Sequence, residues 1–223
     1  MTPEVKICGL TSREAVEGAI AAGAAYVGFV FYPPSPRALT PDEAEPLADA
    51  ARGWTRIVAL VVDAGDALIQ DIEAQVLPDL YQLHGSETPE RVKEIAARTG
   101  KPVIKALKIA DARDLEPIEY YVDAADILLF HARPQPNEGL GLPGGNGVAF
   151  DWSLIADLDL ERPYMLSGGL DPDNIAEAIT LTGAPIVDVS SGVEHAPGIK
   201  DIDRIHRFMS AVRGATAANG QET

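Results

Sequence analysis

Apolar residues in this chain fall into short runs, and most of these runs are followed by a longer stretch with helical periodicity. The apolar runs are rich in Val, Ile, Leu and Tyr and mostly lack alternation with polar residues, which is typical of parallel strands covered on both faces. Eight strands are predicted, near 4–8, 25–30, 56–62, 80–83, 102–107, 126–130, 163–167 and 186–190. Helices are predicted near 12–22, 41–52, 65–76, 88–99, 111–122, 172–183 and 201–213, with a short, weaker one near 151–157.

Helix start and stop signals support this division. Thr40-Pro41 and Thr88-Pro89 are typical of an N-cap followed by proline at the first helical position, and glycines follow several helix ends. Eight β/α units in 223 residues predict one α/β domain, a (β/α)8 TIM barrel, over residues 1–213 and a flexible tail over 214–223. A doubly wound open sheet is the alternative, but it usually has fewer strands and a glycine fingerprint after the first.

Composition narrows the possible partners. The formal net charge is −16, from 34 acidic and 18 basic residues, so nucleic acid and anionic membranes are poor partners. The chain starts Met1-Thr2-Pro3-Glu4, without the basic and apolar pattern of an export signal, and it has one cysteine, so we expect a cytoplasmic protein. No apolar patch indicates a specific interface, which leaves monomer and homodimer open.

The barrel prediction places functional residues at the carboxyl ends of the strands. Cys8 ends the first strand, where the following helix N-terminus favours a thiolate. Lys6 lies two residues earlier and should point to the same side, into the barrel. The ammonium of Lys6 either stabilises the thiolate or pairs with an interior carboxylate.

Polar residues also end strands two, four and six. Arg37 closes a stiff loop with three prolines after strand two and is a candidate for holding a carboxylate. Gln82 and His84 alternate with Leu83, which predicts a polar substrate contact for Gln82 and a structural role for His84. His131 follows strand six and is a candidate acid or base, ahead of a long loop over 132–149.

The last two strand ends predict a phosphate site. Small residues there let backbone N–H groups approach an anion, at the place where barrels commonly bind phosphate. The candidate phosphate-binding residues are Gly168, Gly169, Ser190 and Ser191.

Taken together, these segments resemble the phosphoribosylanthranilate isomerase family, a barrel enzyme family of tryptophan biosynthesis. The resemblance covers nearly the whole chain, and it rests on the order and spacing of several motifs. These are Lys6-Ile7-Cys8-Gly9-Leu10-Thr11, Gly28 through Arg37, Gln82-Leu83-His84-Gly85, Pro143-Gly144-Gly145-Asn146-Gly147, Phe150-Asp151-Trp152, Ser167-Gly168-Gly169-Leu170 and Asp188-Val189-Ser190-Ser191-Gly192-Val193-Glu194.

The resemblance implies an Amadori rearrangement of N-(5-phosphoribosyl)anthranilate, without a metal or organic cofactor. It implies that Cys8 is the general base at C2 of the ribose, that Arg37 holds the anthranilate carboxylate and that Asp188 lies near the sugar. It also implies a general acid at the end of strand six, where the family has an aspartate and this chain has His131.

Two outcomes follow from that difference. An imidazolium, with an unperturbed pKa of about 6.5, can protonate the ring oxygen. Alternatively His131 misplaces the acidic N–H, and the chain is a catalytically impaired phosphate-binding barrel. Two other phosphate-binding barrels fit less well: the isomerase of histidine biosynthesis favours an aspartate where Cys8 stands, and indoleglycerol phosphate synthase wants a lysine–glutamate set over a longer chain.

Overall fold

The computed structural model of the chain describes residues 2–133, 149–156, 158, 160 and 162–219. Eight parallel strands form a closed barrel in which each pairs with the next along the chain and the last returns to the first. The predicted (β/α)8 barrel is therefore confirmed. The strands are β1 (Glu4–Cys8), β2 (Tyr26–Phe31), β3 (Arg56–Val61), β4 (Leu80–Leu83), β5 (Val103–Ile109), β6 (Ile127–Ala132), β7 (Tyr164–Leu166) and β8 (Ile186–Val189).

Helices cover the outside of the barrel, and their first residues show why they begin where they do. The Thr40 side chain accepts a hydrogen bond from the Glu43 N–H and Thr88 accepts one from Arg91, as the Thr-Pro signals predict. The helices are α1 (Arg13–Ala22), α2 (Pro41–Ala51), α3 (Asp66–Gln75), α4 (Pro89–Thr99), α5 (Ile118–Tyr121), α6 (Ser153–Ala156), α7 (Ile175–Thr182) and α8 (Ile202–Asn219).

Three elements differ from the sequence-based expectation. The helix predicted over 111–122 is a 3-10 turn, Ala112–Leu115, followed by the short α5, because Pro117 between them has no N–H to continue the ladder. Helix α8 runs beyond 213 to Asn219. A small hairpin, β9 (Glu194–Ala196) and β10 (Ile199–Lys200), follows β8 and is too short to leave a pattern in the sequence.

The barrel interior changes from apolar to polar along its axis. The amino-terminal half is filled by a cluster of buried apolar side chains: Tyr26, Val58, Leu80, Ile104, Ala106, Ile127, Leu129, Met165 and Ile186. Inward positions nearer the carboxyl ends carry polar groups instead, among them the fully buried Lys6 and Gln82. The apolar plug closes one end of the barrel, so the polar groups face the mouth at the other end.

Gly192 provides a test of how tightly the loops at the mouth pack. A Cβ at Gly192 would lie 1.9 Å from the carbonyl oxygen of Leu170, in the loop after β7. We expect Gly192→Ala to lower the free energy of unfolding by about 1–3 kcal/mol, because the backbone of one loop must shift. Urea denaturation at neutral pH measures this change.

The matched control is Gly214→Ala on exposed α8, where a Cβ would meet nothing within 4 Å. This change should be neutral or stabilising by about 0.5–1 kcal/mol, since alanine favours a helix over glycine. Equal losses in the two variants would contradict the packing argument for Gly192.

Candidate active site

A lysine–aspartate pair lies inside the barrel beneath the thiol. Lys6 Nζ donates to Asp188 Oδ1 over 2.7 Å, and Ser167 Oγ donates to Asp188 Oδ2 over 2.9 Å. The Cys8 thiol lies near this lysine: a Cβ at Gly28 would meet both Cys8 Sγ and Lys6 Cε, and the Cys8 side chain contributes to the raised pKa of Lys6. The sequence left two roles open for Lys6, and the structure shows that it pairs with an interior carboxylate while lying near the thiol.

The charges around Lys6 keep it cationic. Burial by itself lowers the pKa of Lys6, but Asp188 and Cys8 outweigh burial and raise the pKa above its usual 10.5. Gly28 on the neighbouring strand leaves room for this contact, because a Cβ there would lie 3.0 Å from Cys8 Sγ and 3.3 Å from Lys6 Cε. The thiol at the end of β1 therefore lies beside a permanent positive charge.

The four predicted phosphate-binding residues lie in the loops after β7 and β8. Gly168 and Gly169 both have positive φ, +91° and +64°, and their N–H groups donate to no other residue in the described part of the chain. Ser190 Oγ donates to the Cys8 carbonyl over 3.0 Å, and Ser191 begins a 3-10 turn. The two loops pack together where Gly192 meets Leu170, so they form one edge of the mouth beside Cys8.

Arg37 is buried and held by a carboxylate of this chain. Its Nε and Nη2 donate to the two oxygens of Glu194, each over 2.7 Å, and Lys200 Nζ donates to Glu194 Oε1, also over 2.7 Å. Burial raises the pKa of Glu194, but Arg37 and Lys200 outweigh it and lower the pKa below its usual 4.5. The pattern of the sequence did not show that the hairpin after β8 supplies the partners of Arg37.

Gln82, His84 and His131 form a second polar cluster, at the ends of β4 and β6. Gln82 Nε2 lies 2.9 Å from His84 Nδ1, and the rings of His84 and His131 stack with centroids 4.4 Å apart. All three side chains are buried. Gln82 Oε1 and the Nε2 atoms of both histidines have no hydrogen-bond partner in the part of the chain that the structure describes.

His131 is uncharged at neutral pH in this environment. Burial is the main cause that lowers its pKa, and Lys108 adds to it, so that the pKa falls from 6.5 to about 4. The pKa of His84 is lowered well below 6.5, first by burial and then by His131, Lys6 and other nearby cations. The sequence suggested an imidazolium with an ordinary pKa, and burial among lysines removes that charge.

Two lysines of β5 contribute to this region, and no motif singled them out. Lys108 is exposed and stands in register beside His131. Lys105 is buried and donates to Glu87 over 2.6 Å and to the Gly85 carbonyl over 2.8 Å. Glu87 also accepts from the N–H groups of Gly85 and Asp63, so it ties the loop after β4 to the loop after β3.

The structure thus brings nearly all the predicted site residues to one end of the barrel. Cys8, Asp188, Ser190 and the loop of Gly168 and Gly169 are joined by hydrogen bonds or packing. The segment from Pro143 to Gly147 lies outside the described residues. The fold and these groups define a class, a (β/α)8 barrel with a thiol, two imidazoles and a buried lysine–aspartate pair at its mouth.

Comparison with known proteins identifies the family within that class. The family model for N-(5'-phosphoribosyl)anthranilate (PRA) isomerase matches residues 5–211. The PRA isomerase of Rhizobium meliloti is 54% identical over 217 residues, which cover 97% of this chain and 100% of that protein. That of Paramagnetospirillum magneticum is 52% identical over 214 residues, covering 96% and 99%. The chain belongs to the N-(5'-phosphoribosyl)anthranilate isomerase family.

Solved structures support the same family assignment. The Thermotoga maritima enzyme superposes with a TM-score of 0.85 at 36% identity, covering 95% of this chain and 99% of that one. A PRA isomerase in complex with reduced 1-(o-carboxyphenylamino)-1-deoxyribulose 5-phosphate superposes with a TM-score of 0.82, at the same identity and coverage. The family, the fold and the isomerase activity predicted from the sequence are confirmed, and nothing in these relatives supports the impaired alternative.

Within the described ranges, no cluster of three or more His, Cys, Asp or Glu side chains is arranged to hold a metal ion. In that same part of the chain, no helix has the length and apolar character needed to cross a bilayer.

The Arg37–Glu194–Lys200 triad predicts a pH-dependent contribution to stability. Glu194→Gln should lower the free energy of unfolding near pH 7 by about 3–5 kcal/mol, because two buried cations lose their counter-charge. The pKa of Glu194 is lowered in the folded state, so the contribution is present above pH 4.5 and is lost as the pH falls further and the carboxyl protonates. Urea denaturation across this pH range measures the gap between wild type and variant.

The control for this prediction is Glu17→Gln, which removes an exposed pair with Arg13. That change should cost at most about 1 kcal/mol. If the difference in the free energy of unfolding between wild type and Glu194→Gln stays constant through the acid range, the ionic contribution is ruled out.

Proposed function

We propose that this chain converts N-(5'-phosphoribosyl)anthranilate to 1-(2-carboxyphenylamino)-1-deoxyribulose 5-phosphate by an Amadori rearrangement, with Cys8 and His131 as catalytic residues. The observation that carries the assignment is the position of the Cys8 thiol, which ends β1 at the mouth of the barrel near the buried side chain of Lys6. A cysteine side chain near a buried ammonium is a suitable base toward a carbon acid.

The reaction requires proton transfers at four atoms of the substrate: the ring oxygen, C2, the C2 hydroxyl oxygen and C1. The furanose opens when the ring oxygen gains a proton and its bond to C1 breaks, which leaves an iminium between C1 and the anthranilate nitrogen. Cys8 then takes the proton from C2 to give an enolamine, and loss of the C2 hydroxyl proton with protonation at C1 gives the ketone. His131, with an unpartnered Nε2 at the end of β6, occupies the position of the acid–base group for the oxygens.

The substrate's anionic groups define where it binds. The loops of Gly168, Gly169, Ser190 and Ser191 would hold the phosphate, because small residues allow close approach and the glycine N–H groups donate to no other described residue. Arg37 would hold the anthranilate carboxylate. Glu194 already fixes the direction of the Arg37 guanidinium, so little side-chain entropy is lost on binding.

Asp188 and Gln82 are the proposed contacts to the sugar. Asp188 is oriented by Lys6 and Ser167, and its charge also acts on His131. Gln82 offers a buried Oε1 that accepts no hydrogen bond from any residue in the described ranges. Both residues present a fixed acceptor to sugar hydroxyl groups at the mouth.

We further propose that the enzyme works in the cytoplasm as a monomer or homodimer. The base must be a reduced thiol, which is the state that a reducing compartment maintains. A related structure is described as a monomeric form of the dimeric Thermotoga maritima enzyme, at 36% identity and a TM-score of 0.82. The proposed partner is a small phosphorylated substrate. Nucleic acid and anionic membranes are not proposed as partners, because the net charge of −16 disfavours binding to them.

The catalytic assignment is tested by turnover of the fluorescent substrate. Cys8→Ser should lower kcat by about 10²–10⁴-fold with little change in KM, because a hydroxyl is a much weaker base at this position. His131→Asp should keep activity within about tenfold of wild type, since a carboxyl group can carry the same proton. His206→Gln, at an exposed position on α8, is the control.

Two results would contradict the assignment. If Cys8→Ser keeps wild-type kcat, Cys8 is not the base. If wild type neither turns over the substrate nor rescues a tryptophan auxotroph, the proposed reaction is wrong.

The phosphate site is tested by adding a like charge. Ser191→Asp should raise KM at least about tenfold and weaken inhibition by inorganic phosphate, with kcat little changed, because like charges in close contact cost several kcal/mol. Ser210→Asp on exposed α8 is the matched control. An unchanged KM in Ser191→Asp would place the phosphate elsewhere.

A further inference from the structure

Three buried polar atoms that have no hydrogen-bond partner among the described residues lie together at the ends of β4 and β6. They are Gln82 Oε1, His84 Nε2 and His131 Nε2. Each belongs to a side chain at an inward position of its strand, above the apolar plug formed in part by Leu80 and Leu129. Buried polar groups are nearly always hydrogen-bonded, so this cluster indicates contacts that substrate completes.

The hydrogen bond from Gln82 selects the tautomer of His84. The nitrogen of a side-chain amide carries two hydrogens and can only donate, so His84 Nδ1 accepts from Gln82 Nε2 across 2.9 Å. A neutral imidazole that accepts at Nδ1 carries its proton at Nε2. His84 therefore presents a buried N–H, and that N–H has no acceptor among the described residues.

His131 can adopt the opposite arrangement. Its Nε2 has no hydrogen-bond partner among the described residues, and its ring lies stacked on that of His84. A neutral imidazole has one N–H and one acceptor nitrogen, so His131 can accept at Nε2 when its proton is on Nδ1.

We propose that His84 is a further catalytic residue, whose Nε2–H donates the proton that opens the ribose ring, while His131 Nε2 accepts the C2 hydroxyl of the same substrate. Gln82 is then a positioning residue that keeps the proton on Nε2 of His84. This inference rests on the function proposed above and refines the role given there to His131.

The protons balance over one turnover. The Nε2 proton of His84 moves to the ring oxygen as the bond from that oxygen to C1 breaks. The C2 proton moves to Cys8 and from Cys8 to C1. The proton of the C2 hydroxyl, held by His131, returns to His84 Nε2 when the enolamine becomes the ketone, so every residue ends in its starting state.

The surrounding charges keep both rings neutral. His84 faces His131 and the cations of Lys6, Lys105 and Lys108, while His131 faces Lys105, Lys108 and the carboxylate of Asp188. Burial and these cations hold both imidazoles uncharged at physiological pH. A neutral imidazole serves as an electrophile in sugar isomerases when its surroundings prevent protonation.

Steady-state kinetics of four variants test the proposal. His84→Ala should lower kcat by about 10²-fold or more, with KM changed far less. His84→Gln should recover at least about tenfold over His84→Ala, because its amide N–H can still donate. Gln82→Glu should lose nearly as much as His84→Ala, since a carboxylate accepts from Nδ1–H and moves the proton away from Nε2. His206→Gln is the matched control and should behave as wild type.

The pH profile gives an independent readout. With a neutral donor, wild-type kcat/KM should not fall as the pH rises through about 6.5, the unperturbed imidazole pKa. Such a fall, if it disappears in His84→Gln, would mean that an imidazolium is the donor and would overturn the proposal.

The remaining outcomes separate this inference from the proposed function. His84→Ala with kcat within about threefold of wild type overturns it and leaves His84 structural. If Gln82→Glu keeps the wild-type kcat, the proposed tautomer of His84 is wrong, because the His84 proton then already resides on Nδ1 in the wild type. If Cys8→Ser is inactive and His84→Ala is active, only the inference about His84 is refuted. If Cys8→Ser is active, the assignment of Cys8 as the base is refuted. If His84→Ala does not fold, as thermal unfolding shows, His84→Gln and the isosteric Gln82→Glu decide alone.

Discussion

The buried ion pair between Lys6 and Asp188 lies at the seam where the barrel closes. These two residues are register partners on β1 and β8, the first and last strands, and their side chains meet over 2.7 Å. Removing one partner of such a pair typically costs about 3–5 kcal/mol, because the other charge stays buried. Both charges also reach the site, since Lys6 lies near the Cys8 side chain and Asp188 accepts a hydrogen bond from Ser167. Closure of the fold and the electrostatics of the thiol therefore depend on one interaction.

Buried charged side chains also fix the rest of the barrel mouth, because they hold the side chains and loops that are proposed to contact the substrate. Glu194 orients Arg37 and Lys200, and Lys200 in turn donates to the carbonyl of Ser190. Glu87 ties Lys105 to the loop that follows His84. A polar network inside a barrel is costly unless every member is satisfied. Among the described residues, three of the buried polar atoms without a hydrogen-bond partner, on Gln82, His84 and His131, lie where a substrate would enter, at the ends of β4 and β6.

Local signals predicted the order and type of elements well, because the apolar period, the threonine caps and the glycines act over a few residues. They failed where the local structure is decided by a single interrupting residue or by a partner distant along the chain. Pro117 breaks the fifth helix although the pattern around it is helical, and the hairpin of Glu194 and Lys200 is too short to show a period. The candidate site residues were found from their positions at strand ends, whereas Lys105, Lys108 and Glu87 follow no motif and were missed.

The sequence by itself determined the barrel, the end of it that carries the chemistry, and the residue types available there, because strand parity and strand order follow from local pattern. Only the tertiary structure decided how those residues behave. His131 differs from the expected acid in identity, which the sequence shows, but its low pKa comes from burial and from Lys108, a residue on another strand. Likewise, Arg37 has its partner 157 positions away along the chain. Charge, tautomer and orientation depend on what surrounds a group in space, and that information exists only after folding.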